Sequence, residues 1–320
     1  MSRAAGALGI AAFVLAGALP ALWLWPGRPP GTERLVVVAT FYPLHEFARQ
    51  VGGDRVEVTT LVPAGVEPHD WEPSPQDVAR LERARVFIYN GAGLEPWVGK
   101  LLEAARASSR VIVNTTERVP LRTADLPGHD DDKHRLESQG QRGWQAPDPH
   151  VWLDPLLAQI QVEAIRAGLA EAAPASAATF EASARAVAGE LSGLHRELER
   201  GLADCARREV VTSHAAFGYL AARYRLTVVP IMGLAPEAEP SPAELARIVR
   251  FARRRQVRAV FSETLVSPKL AETLSREIGA RTLVLNPIEG LTKEDAAAGK
   301  NYLSLMRDNL QSLRAGLECR

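Results

Sequence analysis

The stretch Leu35 to Val62, LVVVATFYPLHEFARQVGGDRVEVTTLV, decides the fold. Residues 35–40, LVVVAT, are a continuous apolar run, the pattern of a strand covered on both faces. Tyr42-Pro43 and a helix-like stretch from Leu44 to Val51 follow, and the turn Gly52-Gly53-Asp54 leads into a second strand, Val56 to Val62. Working outward, Val86 to Tyr89 and Val111 to Val113 read as further strands with helical patterns between them. Strands alternating with helices imply a parallel sheet flanked by helices, so the first part of the chain is α/β.

The alternation then pauses. Asp154 followed by Pro155 is an N-cap with proline at the first helical position, and Leu156, Leu157, Ile160, Ile165 and Leu169 keep a helical face until Pro174. A longer pattern from Ser176 to Leu202 carries Phe180, Val187, Leu191, Leu194 and Leu198, which makes a helix roughly 40 Å long, enough to cross between two lobes. Strands restart at Val210-Val211, Val228 to Ile231, Ala259 to Ser262 and Thr282 to Leu285, and a helix from Ala298 to Leu317 ends the chain. The expected architecture is two Rossmann-like lobes, residues 33–175 and 205–320, with residues 176–204 between them.

The 320 residues are 46% hydrophobic, enough for a sizeable core, and 38 lysines and arginines balance 38 aspartates and glutamates. There is thus no net field to attract nucleic acid, and no Walker loop, G-x-G-x-x-G or G-x-S-x-G directs the reading toward nucleotides or acyl hydrolysis. Residues 1–32 differ: Arg3 precedes an apolar stretch from Ala4 to Pro26, an export segment that is either a signal peptide cleaved near Ala16-Gly17-Ala18 or a membrane anchor with Trp23 and Trp25 at the interface. It contains no cysteine, so the expectation is an exported protein that is not a lipoprotein. Cys205 and Cys319, the two cysteines of the chain, are expected to pair in an oxidising compartment, the alternative being two separate buried thiols.

Ligands of open α/β sheets collect at the carboxyl ends of strands, and in two-lobed chains between the lobes. Three of the seven histidines lie in turn-rich segments or directly after a strand: His69 in VPAGVEPHDWEPSP, His150 between two prolines in APDPHVWLDP and His214 in VVTSHAAFGYLA. Their spacings are too long for a local zinc module, so they meet only if the tertiary fold brings them together.

Several segments in order resemble the zinc and manganese solute-binding proteins of ABC importers. They are residues 36–81 (beginning VVVATFYPLHEF), 148–155 (DPHVWLDP), 211–221 (VTSHAAFGYLA), 260–280 (VFSETLVSPKLAETLSREIGA) and 285–313 (beginning LNPIEGLTKEDAAAGKNYL). The resemblance implies two α/β lobes joined by one long rigid helix, with the metal in the cleft between them. It carries the ligand positions onto His69, His150 and His214, and histidine at the third position favours zinc over manganese. Many members place an aspartate before the proline where this chain has Asn286-Pro287-Ile288-Glu289, which makes Glu289 the expected fourth ligand and Asn286, Glu67, Glu263 or water the alternatives, with Glu263 read in preference as a hydrogen-bond acceptor behind the ligands or a structural ion pair. Asp148, Asp154 and Glu72 are near enough in sequence to accept the second ring N–H of a ligating histidine, although helix capping already explains Asp154. The segment His129-Asp130-Asp131-Asp132-Lys133-His134 is either a weak zinc site or a solvated charged loop, and His45 and His195 read as surface or core residues.

The implied function is capture of zinc outside the cytoplasm by a monomeric, non-enzymatic binding protein. Its partners would be the ion and an ABC permease membrane subunit, with no nucleic acid. Manganese or iron binding is the alternative within the same transporter type. A secreted zinc hydrolase would need an open coordination position with a general base beside it, often on H-E-x-x-H, and that motif is missing. An adhesin-like surface role, a label given to some relatives, is secondary.

Overall fold

Eight strands stand in two four-stranded, wholly parallel sheets in a computed structural model that describes residues 34–105, 109–123, 146–236 and 240–320. The first sheet contains β1 (Leu35–Ala39), β2 (Val56–Thr60), β3 (Val86–Tyr89) and β4 (Val111–Asn114) in the order β2-β1-β3-β4. The second contains β5 (Glu209–Thr212), β6 (Thr227–Pro230), β7 (Ala259–Ser262) and β8 (Arg281–Val284) in the equivalent order β6-β5-β7-β8. Val37, Val38 and Ala39 are buried on both faces of β1, which is why that strand reads as an unbroken apolar run. Each sheet reverses strand order at its first strand, between β1 and β3 and between β5 and β7, and a parallel sheet offers a ligand crevice at such a point.

Helices α1 (Tyr42–Gly52), α2 (Pro75–Arg83), α3 (Val98–Ala104) and α4 (Pro155–Ala172) belong to the first sheet. The long helix α5 (Ala177–Gly201) follows, and α6 (Gly218–Tyr224), α7 (Pro242–Arg254), α8 (Lys269–Ile278), α9 (Lys293–Ala297) and α10 (Tyr302–Leu317) belong to the second. The 25 residues of α5 bury Phe180, Ala184, Val187, Leu191, Leu194 and Leu198, a stripe repeating every three or four residues. It packs on α1 and α4 of the first lobe and on α10 of the second, so one apolar core runs through both lobes along a single helix. Burial of each large side chain of that stripe stabilises the joint by about 1.5–3 kcal/mol relative to exposure.

The last helix begins later than its periodicity suggests. Gly299 takes φ +66°, which ends α9, and Asn301 then caps α10 by exchanging hydrogen bonds with Ser304 at 2.9 Å in each direction. Cys205 and Cys319 are bonded, joining the segment after α5 to the end of α10.

Arg34, Arg55, Arg85, Arg110, Arg208 and Arg258 immediately precede β1, β2, β3, β4, β5 and β7, and Arg281 opens β8. Helices of a parallel sheet end where the strands begin, and several of these guanidinium groups close those ends. Arg110 donates to the carbonyls of Leu81 and Ala105, Arg208 to those of Leu202 and Ala203, and Arg281 to that of Ala315. The cations therefore gather at the amino ends of the strands, leaving the carboxyl ends to other chemistry.

Candidate metal centre

The segments that follow β2, β5 and β8, together with the one that precedes α4, converge on one buried point. After β2, Leu61 and Val62 still donate to Ala39 and Thr40, both at 2.9 Å, before the chain leaves the sheet. Gly65 then takes φ +84° and donates its N–H to Leu291 of the second lobe at 2.8 Å. Glu67 Oε2 accepts the backbone N–H groups of His69 (2.9 Å) and Asp70 (3.2 Å), folding the loop that carries His69. Trp71 packs edge-on against Trp97 with ring centroids 4.7 Å apart and fixes the far side of that loop.

His150 is held from both ends. Asp148 Oδ1 accepts its backbone N–H at 3.0 Å and its Nδ1–H at 2.8 Å, and Asn90 donates to the preceding carbonyl of Pro149 at 2.9 Å. Two residues on, the Trp152 indole N–H crosses to the carbonyl of Pro287 at 2.7 Å, and Tyr302 donates its hydroxyl to the Trp152 carbonyl. His214 follows β5, and Glu263 follows β7, so the two flank the switch point of the second sheet. Glu263 accepts the His214 backbone N–H at 2.9 Å and its Nδ1–H at 2.6 Å. Placing the protons of His150 and His214 on Nδ1 leaves both Nε2 lone pairs facing inward.

Glu289 completes the cluster. Its Oε1 lies 3.5 Å from His69 Nε2, 3.2 Å from His150 Nε2 and 3.3 Å from His214 Nε2, and the His150 nitrogen is 3.3 Å from each of the other two. A tetrahedron with metal–ligand bonds near 2.0–2.1 Å has edges of about 3.3–3.4 Å, so the five distances fit four ligands around one zinc-sized centre. Glu289 Oε1 is buried and has no hydrogen-bond partner, although three imidazole nitrogens lie 3.2–3.5 Å from it, an arrangement that a shared cation would satisfy. Among the described residues no other group of three or more His, Cys, Asp or Glu side chains comes together in this way.

The electrostatics call for a cation. Three neutral imidazoles and one carboxylate leave a dication with a surplus positive charge, and the Asp148 and Glu263 carboxylates stand directly behind two of the rings. Without the ion, protons substitute for it. Burial pulls His150 down, but Asp148 and Glu289 outweigh it and hold the ring above the ordinary histidine value. Burial also opposes protonation of His214, and Glu263 and Glu289 raise it well above that value. Glu289 is pushed up by burial and drawn well below the ordinary carboxylate range by His214, His150 and His69.

The other sequence candidates have different surroundings. Asn286 Oδ1 accepts the N–H of Ile288 at 2.7 Å, and Glu67 and Glu263 organise the loops of His69 and His214. Asp154 caps α4 by accepting the Leu156 N–H at 2.9 Å and pairs with Arg223 at 2.8 Å, while Glu72 is exposed. His195 contacts the Tyr224 hydroxyl at 3.2 Å, and His45 is partly buried in α1. The expected export segment, residues 1–32, and the 129–134 segment lie outside the described residues. Trp152, Tyr302 and Asn309 escaped the sequence reading, although the tryptophan two residues after His150 was a usable signal.

Residues 37–316 match the family described as zinc-uptake complex component A, periplasmic. The chain is 38% identical over 285 residues to the high-affinity zinc uptake system protein ZnuA of Bacillus subtilis, covering 89% of this chain and 88% of that one. It is 40% identical over 281 residues to the zinc-binding lipoprotein AdcA of Streptococcus pneumoniae, covering 88% of this chain but 55% of that protein, so it spans about half of AdcA. The crystal structure of the Zn(II)-bound ZnuA-like domain of that AdcA superposes with a TM-score of 0.73 at 39% identity, covering 89% of this chain and all of the domain.

These comparisons correct one expectation. The exclusion of a lipoprotein rested on the lack of a cysteine in the first residues, and relatives this similar are named lipoproteins, so the exclusion does not stand. A family match over nearly the whole described chain, two superposable α/β lobes and relatives named for zinc uptake lead to one statement: the chain belongs to the zinc-uptake complex component A (ZnuA) family, a transport component and not an enzyme family.

Proposed function

We propose that this protein captures zinc with high affinity outside the cytoplasm, holds it with His69, His150, His214 and Glu289, and delivers it to the permease of an ABC importer. The observation that carries this reading is that five of the six ligand-to-ligand distances fall between 3.2 and 3.5 Å, as the edges of a zinc-sized tetrahedron would, and all four atoms lie within 4.8 Å of one another. Three imidazoles with one carboxylate suit zinc better than manganese, which favours more oxygen ligands. Four protein ligands fill the shell, so no position is left for a substrate or an attacking water, and the reading is capture without chemistry.

Loading exchanges protons for metal. Zinc takes the Nε2 lone pairs, the Nδ1 protons stay on Asp148 and Glu263, and protons held by the empty cluster leave. The lobes are tied across the cleft by Gly65 to Leu291 and by Trp152 to Pro287, and α5 runs through both cores, so release requires a limited opening at these contacts. His69, with a side chain 8% exposed against 0% for His150 and His214, is the ligand nearest solvent and the natural point of access.

The test is titration of the metal-stripped protein with zinc and with manganese, alongside Glu289→Ala and each histidine→Ala. One equivalent of zinc, bound far more tightly than manganese and weakened by every one of the four substitutions, is the expected outcome. Equal or tighter manganese binding, or unchanged zinc affinity in any of the four variants, overturns the assignment.

A further inference from the structure

The turn from Asn286 to Glu289 is built with unusual constraint. Beyond β8, Leu285 donates its N–H to Ser262 at 2.9 Å, and Asn309 of α10 then grips the backbone of Asn286 on both sides. Asn309 Oδ1 accepts the Asn286 N–H at 2.8 Å, and Asn309 Nδ2 donates to the Asn286 carbonyl at 2.7 Å. With its backbone fixed, the buried Asn286 side chain turns along the chain and accepts the Ile288 N–H at 2.7 Å. The next carbonyl, that of Pro287, is held by the Trp152 indole.

Ile288 sits at φ +59° and is fully buried. A β-branched residue in the left-handed region is rare and strained, so something must hold it there. The bond that acts on Ile288 itself is the one from its N–H to Asn286 Oδ1. The reversal it imposes aims the very next side chain, that of Glu289, back at the three histidines. An extended backbone at residue 288 would send that carboxylate elsewhere.

We propose that Asn286 is the positioning residue of the fourth ligand: its amide oxygen, turned onto the Ile288 N–H, locks the left-handed turn that brings Glu289 onto the metal. Position 286 thereby decides that the carboxylate comes from residue 289. The inference rests on the reading of His69, His150, His214 and Glu289 as the zinc ligands.

The experiment compares full-length protein carrying Asn286→Ala, Asn286→Ser or Glu289→Ala with the parent, by zinc competition titration, by visible absorption of the cobalt(II)-loaded protein and by unfolding temperature of the metal-free form. Tetrahedral cobalt(II) absorbs strongly, and the position and intensity of its band follow the donor set and coordination number, a readout that stability alone does not move. Asn286→Ala is expected to weaken zinc binding about tenfold or more, within the range for groups that orient metal ligands, and to shift the cobalt band toward that of Glu289→Ala. Serine accepts the same N–H more weakly and should rank between alanine and asparagine in both measurements. If the alanine variant does not fold, serine carries the test. Parent-like zinc affinity and an unchanged cobalt band in the folded variants overturn the positioning role. Parent-like behaviour of Glu289→Ala overturns the ligand reading itself, so the two failures are distinguishable.

Discussion

His214 Nδ1 lies 2.6 Å from Glu263 Oε2, and the other oxygen of the same carboxylate accepts the His214 backbone N–H at 2.9 Å. One side chain thus fixes both the ring and the main chain of the proposed ligand, and its charge would strengthen the imidazole as a donor to a metal. Removing it with Glu263→Ala should weaken zinc binding by about 10- to 100-fold, as measured by competition with a chelator of known strength. Glu263→Gln, which keeps an acceptor and loses the charge, should fall between. Equal affinities in all three proteins would show that His214 needs no partner.

Protonation gives a prediction with a definite sign. His150 and His214 are raised from 6.5 and Glu289 is lowered from 4.5 in the metal-free site. For the empty protein, the histidine contribution to stability is fully present below the ordinary value of 6.5 and is lost as pH rises through the raised values. The Glu289 contribution is present above 4.5 and is lost as pH falls through its lowered value. Zinc binding runs the other way, because the metal must displace the histidine protons, and it strengthens as pH rises. The increase in unfolding temperature caused by saturating zinc should be distinctly larger at about pH 7.5 than at about pH 5.5, and calorimetry in buffers of different ionisation enthalpy should detect protons released near neutrality. Identical thermal shifts at the two pH values would contradict the three-histidine site.

Tyr302 donates its hydroxyl to the carbonyl of Trp152, in a fully buried setting that links α10 to the segment holding His150. Tyr302→Phe leaves that carbonyl without its partner and should lower unfolding free energy by about 1–3 kcal/mol, measured by denaturant titration of the metal-free protein. The ring remains against Phe47, so the packing loss is small.

The Cys205–Cys319 bond closes a separation of 114 residues. Constraining the unfolded chain over such a loop is worth about 4–5 kcal/mol by the loop-entropy relation, so the paired substitution Cys205→Ser with Cys319→Ser should reduce the denaturant midpoint markedly. Zinc affinity of the folded variant should be unchanged, since neither cysteine belongs to the ligand cluster.

Much of this is legible in the amino-acid sequence. The strands are readable because parallel strands covered on both faces are short unbroken apolar runs, as LVVVA in β1 and VFIY in β3, and the long helix because its apolar stripe recurs every three or four residues from Phe180 to Leu198. Positions after strands and before a capped helix mark the three histidines only as candidates, and the family resemblance is what groups them as a ligand set. The start of α10 differs from the expected Ala298 because alanines 296–298 are good helix formers that the sequence pattern joins to it, and the break comes from the conformation of Gly299. Asp148 was readable as a partner of His150 because it is two residues away, whereas the partnership of Glu263 with His214 spans 49 residues and only the β5–β7 pairing creates it. The grip of Asn309 on Asn286 and the bond from Trp152 to Pro287 are likewise products of the tertiary fold.

The most direct test of the central claim is X-ray absorption at the zinc edge of protein loaded with one equivalent of zinc. Three imidazole nitrogens and one carboxylate oxygen at about 2.0–2.1 Å, with the oxygen lost in Glu289→Ala, is the expected first shell. A six-ligand shell, or a spectrum that Glu289→Ala leaves unchanged, would contradict the tetrahedral site formed by His69, His150, His214 and Glu289.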